Sequence, residues 1–193
     1  MRLRLATGNA HKLREIREIL EPIEVRGTDG IVGYEVVEDG STFEANALKK
    51  AQKLLELTGE ASLADDSGIE VDALNGAPGV YSARYAGVEG ADADEANLQK
   101  LLVELADTPD PARTARYVCA IAYCVPGEAP RFFRGTLEGR IIHEKRGLGG
   151  FGYDPIFLLP DRGVTVAEIG ADEKHAISHR GKAVRALREA LRR

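Results

Sequence analysis

The N-terminal run "MRLRLATGNAHKLREIREIL" constrains the fold more than any other segment, because it passes from strand to helix periodicity through a single glycine turn. Leu3 and Leu5 share one face, with charged residues between them, as in a strand with one buried side. Leu13, Ile16, Ile19 and Leu20 then fall at helical spacing, while Arg14, Glu15, Arg17 and Glu18 take the other face. Strand, glycine turn and helix form the opening unit of an α/β fold.

The rest of the chain continues that alternation before changing character. In "STFEANALKKAQKLLELTG", Ser41 and Glu44 read as a capping box, Ala47, Leu48, Ala51, Leu54 and Leu55 as the apolar stripe, and Gly59 as the closing residue. The strand "ASLAD" follows, then the Gly- and Pro-punctuated loop "LNGAPGVYSARYAG". A third helix, "DADEANLQKLLVELA", starts at Asp92 and Glu95 and buries Leu98, Leu101, Leu102 and Leu105. Strands "ARYVCAIAYCV", "RFFRGTLEGRIIH" and "PIFLLP" cluster in the second half, and a last helix starts near Ser178 with Val184, Leu187 and Leu191 as its apolar line. With no internal repeat and no polar linker, the expectation is one α/β domain over residues 1–193, a mixed central sheet flanked by helices.

Hydrophobic residues make up 44% and charged residues 30% of the chain, enough apolar material for an ordered core. The first residues lack the apolar run of a signal peptide, and no apolar run approaches the roughly 18 residues of a membrane span. Cys119 and Cys124 fall in one strand and point to opposite faces roughly 16 Å apart, so they read as buried thiols in a reducing cytoplasm. A net charge of −5 disfavours a nucleic-acid coat, which needs clustered cations. The basic C-terminal stretch reads as the solvated side of its helix.

Four stretches carry candidate chemistry. "TGNAHK" sits between strand and helix, where free N–H groups and the helix dipole favour an anion, Gly8 admits close approach and Lys12 adds a positive charge; an ordinary capped helix start looks the same. In "SLADDSGIEV", adjacent strand side chains face opposite ways, so Asp65 and Asp66 cannot share one ligand unless the chain turns there. One of the two then supports structure and the other can hold Mg²⁺ or orient a water, with Glu38 or Asp39 as a second ligand; an Asx-type turn is the alternative. "GGFGYDP" places glycines around Phe151 and Tyr153, which suits stacking on a flat base or a tight turn between strands. "EKHAISHRG" brings Lys174, His179 and Arg180 to a helix start, as donors to a keto oxygen or phosphate, or as solvated charges around a cap.

Together "TGNAHK", "TFEANALKKA", "ADDSGIEVDALNGAPGVYSARYAG", "GGFGYDPIF" and "EKHAISHRGKA", in this order from about residue 3 to 190, resemble the inosine/xanthosine triphosphate pyrophosphatase family of enzymes acting on non-standard purine nucleotides. The resemblance implies an elongated α/β fold with an active-site cleft between two lobes, a homodimer, and Mg²⁺-dependent hydrolysis of ITP, dITP and XTP to monophosphate and diphosphate. It implies that Thr7, Gly8, Asn9, Ala10, His11 and Lys12 contact the triphosphate, with Lys50 near the phosphates. Glu38 and Asp66 match the metal ligands, and Asp66 also matches the proton acceptor. Ser67, Phe151, Gly152, Tyr153, Asp154, Lys174, His179 and Arg180 match substrate contacts. Where many relatives read "TFEENA", Ala45 stands here, which removes an acid from that position. A keto oxygen at C6 of hypoxanthine or xanthine satisfies a donor such as His179 or Arg180, whereas the amino group of adenine leaves it unpaired. Guanine carries the same keto group, so this logic does not separate GTP. A pyrimidine-directed pyrophosphatase, a nucleotide sensor and a nucleic-acid module are the competing classes.

Overall fold

The structure is a computed structural model and describes residues 2–192. Its elements run β1 (Arg2–Leu5), α1 (Ala10–Leu20), β2 (Glu24–Arg26), α2 (Phe43–Thr58), β3 (Ser62–Val71), α3 (Ala93–Glu104), β4 (Thr114–Cys124), β5 (Arg131–Ile141), β6 (Phe157–Leu159), β7 (Val164–Thr165), α4 (Ala171–Ile177) and α5 (His179–Leu191), with short 3₁₀ turns between some of them. The sheet has seven strands in the order β2-β1-β3-β4-β5-β6-β7 and is flanked by helices. It is mixed: β1 pairs in parallel with β2 and β3, while β6 pairs antiparallel with β5 and β7.

The chain forms two compact units, and neither is continuous in sequence. The first comprises the residues up to Ser67, Cys119–Gly135 and the chain from Ser178 on; the second comprises Gly68–Val118 and Thr136–Ile177. In the first unit, strand alternation sends neighbours into two separate cores. Leu63, Cys119 and Ile121 pack with Leu3, Leu5, Ile16, Val184 and Leu187, whereas Ala64, Ala122 and Cys124 pack with Ala47, Ala51 and Leu54 of α2. The two cysteines thus lie on opposite faces, buried and unlinked. The second unit has one core, in which Ile69, Leu98, Leu101, Leu105, Tyr117, Ile141 and Phe157 meet.

Close helix-on-sheet packing in the first unit depends on Gly135 of β5. A Cβ there would sit 2.1 Å from the His179 carbonyl oxygen and 2.8 Å from the Ala183 nitrogen, both backbone atoms of α5. Gly135→Ala is therefore expected to cost about 1–3 kcal/mol. The check is a urea titration, in which an unchanged midpoint would contradict the packing argument.

Several expectations need correction. The cap of α2 is Thr42, whose side chain accepts from the Ala45 N–H at 3.1 Å, and not Ser41; Gly59 does close the helix, in the left-handed region at φ 66°. The chain does not turn at Ser67 and Gly68: β3 continues to Val71, and Gly68 is needed because a Cβ would meet Ser82 Oγ at 2.4 Å and the Gly79 carbonyl at 2.6 Å. "PIFLLP" gives only a three-residue strand, since Ile156 belongs to the preceding 3₁₀ turn. Lys174 does not share a helix with His179 and Arg180. It lies in the separate α4.

Candidate active site

The first unit gathers most of the expected residues. Asn9 caps α1 in an extended conformation, and its Oδ1 accepts from the backbone N–H groups of His11 (2.9 Å) and Lys12 (3.2 Å), while its own N–H donates to Thr7 Oγ1 at 3.1 Å. Two helix-start donors that suit a phosphate are thus already occupied by an amide oxygen. Nothing lies within 4 Å of where a Gly8 Cβ would be, so a ligand can approach the backbone there. Ala10 and His11 open the exposed side of the first turn.

The adjacent aspartates have separate surroundings, as strand alternation requires. Asp65 is 1% exposed and accepts from four donors: Lys12 Nζ and Ser67 Oγ on one oxygen, Cys119 Sγ and Arg180 Nε on the other. Burial pushes its carboxyl up, but the charges of Lys12 and Arg180 overcome this and hold it well below the usual carboxylate range. Arg180, itself buried, also donates to Glu15 Oε2 (2.5 Å) and Ser67 Oγ (3.1 Å), which commits three of its five N–H donors within the unit. His179 is the first residue of α5 and is buried beside it.

Asp66 takes Lys50 Nζ on Oδ1 at 3.0 Å and Asn46 Nδ2 on Oδ2 at 3.2 Å. The same Lys50 ammonium donates to Glu38 Oε2 at 2.8 Å, so one cation bridges two carboxylates. Burial raises the Asp66 carboxyl above its ordinary value; Lys50 opposes this and Glu38 adds to it. For Glu38, burial acts in the same upward direction, but the hydrogen bond and charge of Lys50 prevail and the carboxyl is lowered. Burial also works against the Lys50 ammonium, and the charges of Asp66 and Glu38 more than compensate, raising its pKa. Asp39 pairs instead with Lys49 on the exposed side.

Asn46 is a site residue that the motifs did not single out. It is fully buried, holds Asp66 through its NH₂ group, and accepts the Gly40 N–H at 2.8 Å, tying the segment that carries Glu38 to α2. A signal existed: Asn46 and Lys50 are four apart on one helix face, a polar pair set in an apolar stripe.

Two carboxylates fit a divalent cation in part. Both offer hard oxygens, and among the described residues no group of three or more His, Cys, Asp or Glu gathers around a common point. Such a pair suits Mg²⁺, which keeps several waters and takes phosphate oxygens for its remaining positions.

The second unit holds the glycine-rich loop and Lys174. Asp154, 3% exposed, accepts from Tyr117 Oη (3.0 Å), the Phe151 N–H (3.0 Å) and Lys174 Nζ (2.7 Å). Lys174 Nζ lies 4.6 Å from the Phe151 ring centroid. Tyr153 is buried with its hydroxyl on the Ser82 carbonyl at 2.8 Å, so Phe151 is the aromatic left partly open. The Gly152 N–H donates to Asp94 at 3.0 Å.

A mixed sheet, a capped helix start and two carboxylates joined by the Lys50 ammonium define an α/β protein with a charged site in its first unit. The chain belongs to the Ham1 family, whose model matches residues 3–190. It is 50% identical to the dITP/XTP pyrophosphatase of Geobacter sulfurreducens over 193 residues, covering 98% of this chain and 96% of the relative. Among solved structures it is similar to the Ham1 protein of Staphylococcus aureus, with a TM-score of 0.90 and 40% identity over 100% of this chain and 98% of that one. A HAM1 protein from Coxiella burnetii superimposes with a TM-score of 0.91 at 42% identity, covering 99% and 98%.

Proposed function

We propose that this protein is a nucleoside-triphosphate pyrophosphatase that hydrolyses the non-standard purine nucleotides dITP, ITP and XTP to monophosphate and diphosphate, removing them from the nucleotide pool. The observation that carries the reading is Lys50 set between Glu38 and Asp66, at 2.8 and 3.0 Å, in a chain half identical to a dITP/XTP pyrophosphatase. Glu38 and Asp66 would hold Mg²⁺, which when bound neutralises phosphate charge as a Lewis acid. Lys12 and Lys50 bind the phosphates and offset the charge that develops on them.

Asp66 orients a water and takes its proton as the oxygen attacks the α-phosphorus. The bond from that phosphorus to the α,β-bridging oxygen breaks, and diphosphate leaves with the bonding pair. Asp66 is suited to this because two hydrogen bonds fix its carboxylate while burial strengthens it as a base. In the first unit, Ser67, His179 and Arg180 are assigned as substrate contacts, a donor there suiting a keto oxygen. In the second unit, Phe151, Gly152 and Lys174 are assigned as base contacts, with Phe151 as the stacking ring. The protein acts in the cytoplasm as a homodimer in this reading. No helix among the described residues is long and apolar enough to cross a membrane.

The test is diphosphate release from dITP, ITP, XTP, GTP, ATP and UTP, with Mg²⁺ and after its removal by chelation. Release from the first three should exceed that from ATP and UTP by at least about a hundredfold, the range open to a site that leaves mismatched donors unpaired. It should fall to background without Mg²⁺ and return on adding it back. Faster turnover of UTP would transfer the protein to the pyrimidine-directed class.

A further inference from the structure

Tyr117 has no part in the reading above, yet it is wired to the residues assigned to the base. It lies on β4, buried, with its ring stacked on Phe157 at a centroid separation of 4.4 Å and an interplanar angle of 29°. Packing alone asks for an aromatic ring, and phenylalanine would supply it. The hydroxyl does something further: it donates to Asp154 Oδ1 at 3.0 Å. Burial, followed by the neighbouring Asp154 charge, pushes the phenol well above its ordinary value, so it remains a donor throughout the neutral range.

Asp154 divides its two oxygens. Oδ1 faces Tyr117, while Oδ2 accepts both the Phe151 N–H and the Lys174 ammonium. A carboxylate with one free torsion beyond Cβ turns unless both ends are held, and the crowded Gly150, where a Cβ would meet Asp154 Oδ2 at 2.2 Å, leaves it little room. With Oδ1 pinned, Oδ2 fixes the loop backbone and the ammonium at once, and Lys174 is kept 4.6 Å above the Phe151 ring.

We propose that Tyr117 is a positioning residue for substrate recognition: acting through Asp154, it sets the spacing of the Lys174 ammonium and the Phe151 ring that grip a keto-bearing purine base. Asp154 on this account organises the grip from behind, and Lys174 and Phe151 touch the ligand. The inference rests on the substrate reading given above.

Tyr117→Phe separates this role from a packing role, because the ring stays on Phe157. For dITP the variant is expected to show a KM raised roughly tenfold, the scale of one hydrogen bond to a charged acceptor, with kcat unchanged. Deoxyribose 5-triphosphate, which has no base, should show no change in KM. In a background of Asp154→Asn, adding Tyr117→Phe should give little further loss, as coupled residues do. Independently of turnover, acetic anhydride should modify Lys174 of the ligand-free variant about threefold faster than in the parent, because a carboxylate free to turn no longer keeps its hydrogen bond on the amine. An unchanged KM for dITP, or an equal rise for the base-free triphosphate, overturns the proposal. If the parent protein releases no diphosphate from dITP, the substrate reading fails, and the Lys174 modification rate decides the positioning claim: a faster rate supports it and an unchanged one ends it.

Discussion

Asp66→Asn is expected to lower diphosphate release from dITP by at least about a hundredfold while leaving the fold as stable as that of the parent, within about 1 kcal/mol. The amide keeps the size of the carboxylate and an acceptor for Lys50 Nζ, now 3.0 Å from Asp66 Oδ1. It cannot take a proton from water and is a poor partner for a cation. Its NH₂ group would face the Asn46 NH₂ group, which cannot turn over without giving up the Gly40 N–H. That loses one hydrogen bond. The gain is removal of a negative charge whose neighbour Glu38 already repels it, so the two effects oppose each other. Steady-state kinetics with saturating Mg²⁺ and a thermal melt of the ligand-free protein measure both halves. Activity within threefold of the parent would remove Asp66 from its assigned role.

The neighbouring residue should behave in the opposite way. Asp65→Ala is expected to destabilise the protein by about 3–5 kcal/mol, because it strips the counter-charge from a guanidinium that has almost no exposure and from a half-buried ammonium. Glu15 remains for Arg180, but Lys12 and Cys119 lose their partner in the first-unit core. For a chain of this length the melting temperature should fall by roughly 10 °C. Chemical denaturation gives the free energy directly, and a loss under 1 kcal/mol would show that the four donors re-pair elsewhere. One substitution removes function and spares the fold; the next one along removes the fold's support.

That the two carboxylates have separate surroundings was legible in the sequence, since a period of two separates adjacent strand side chains, though it does not say which of them supports the fold. The helices α1, α2, α3 and α5 were equally legible, each having an apolar stripe long enough to show its period. Strands β2 and β7, of three and two residues, carry no periodicity of their own and exist because β1 and β6 offer them partners. The helix α4 has no buried residue, so no stripe marks it. The link from Tyr117 to Asp154 spans 37 positions, and hydrogen bonds of that reach leave no trace in local spacing. Asp154 and Arg180 read as ligand contacts in the motifs, yet most of their polar atoms are occupied by the protein itself. A motif reports that a residue matters and not which neighbour it serves.

The discontinuous make-up of the first unit also bears on synthesis. Glu15, Asp65 and Arg180 form one buried ionic group, but Arg180 leaves the ribosome 165 residues after Glu15 and 115 after Asp65. Until then two carboxylates destined for the interior have no guanidinium to meet, and the nascent chain must keep them in water. Completion of this unit is therefore a late event, set by the arrival of α5 and not by the early appearance of β1 and α1. A product cut short before Ser178 would carry Lys12, Lys50 and both aspartates, and still lack the guanidinium that shares Asp65 with Lys12. Such a fragment should remain open to proteolysis, because its early carboxylates wait on α5 for the guanidinium they share.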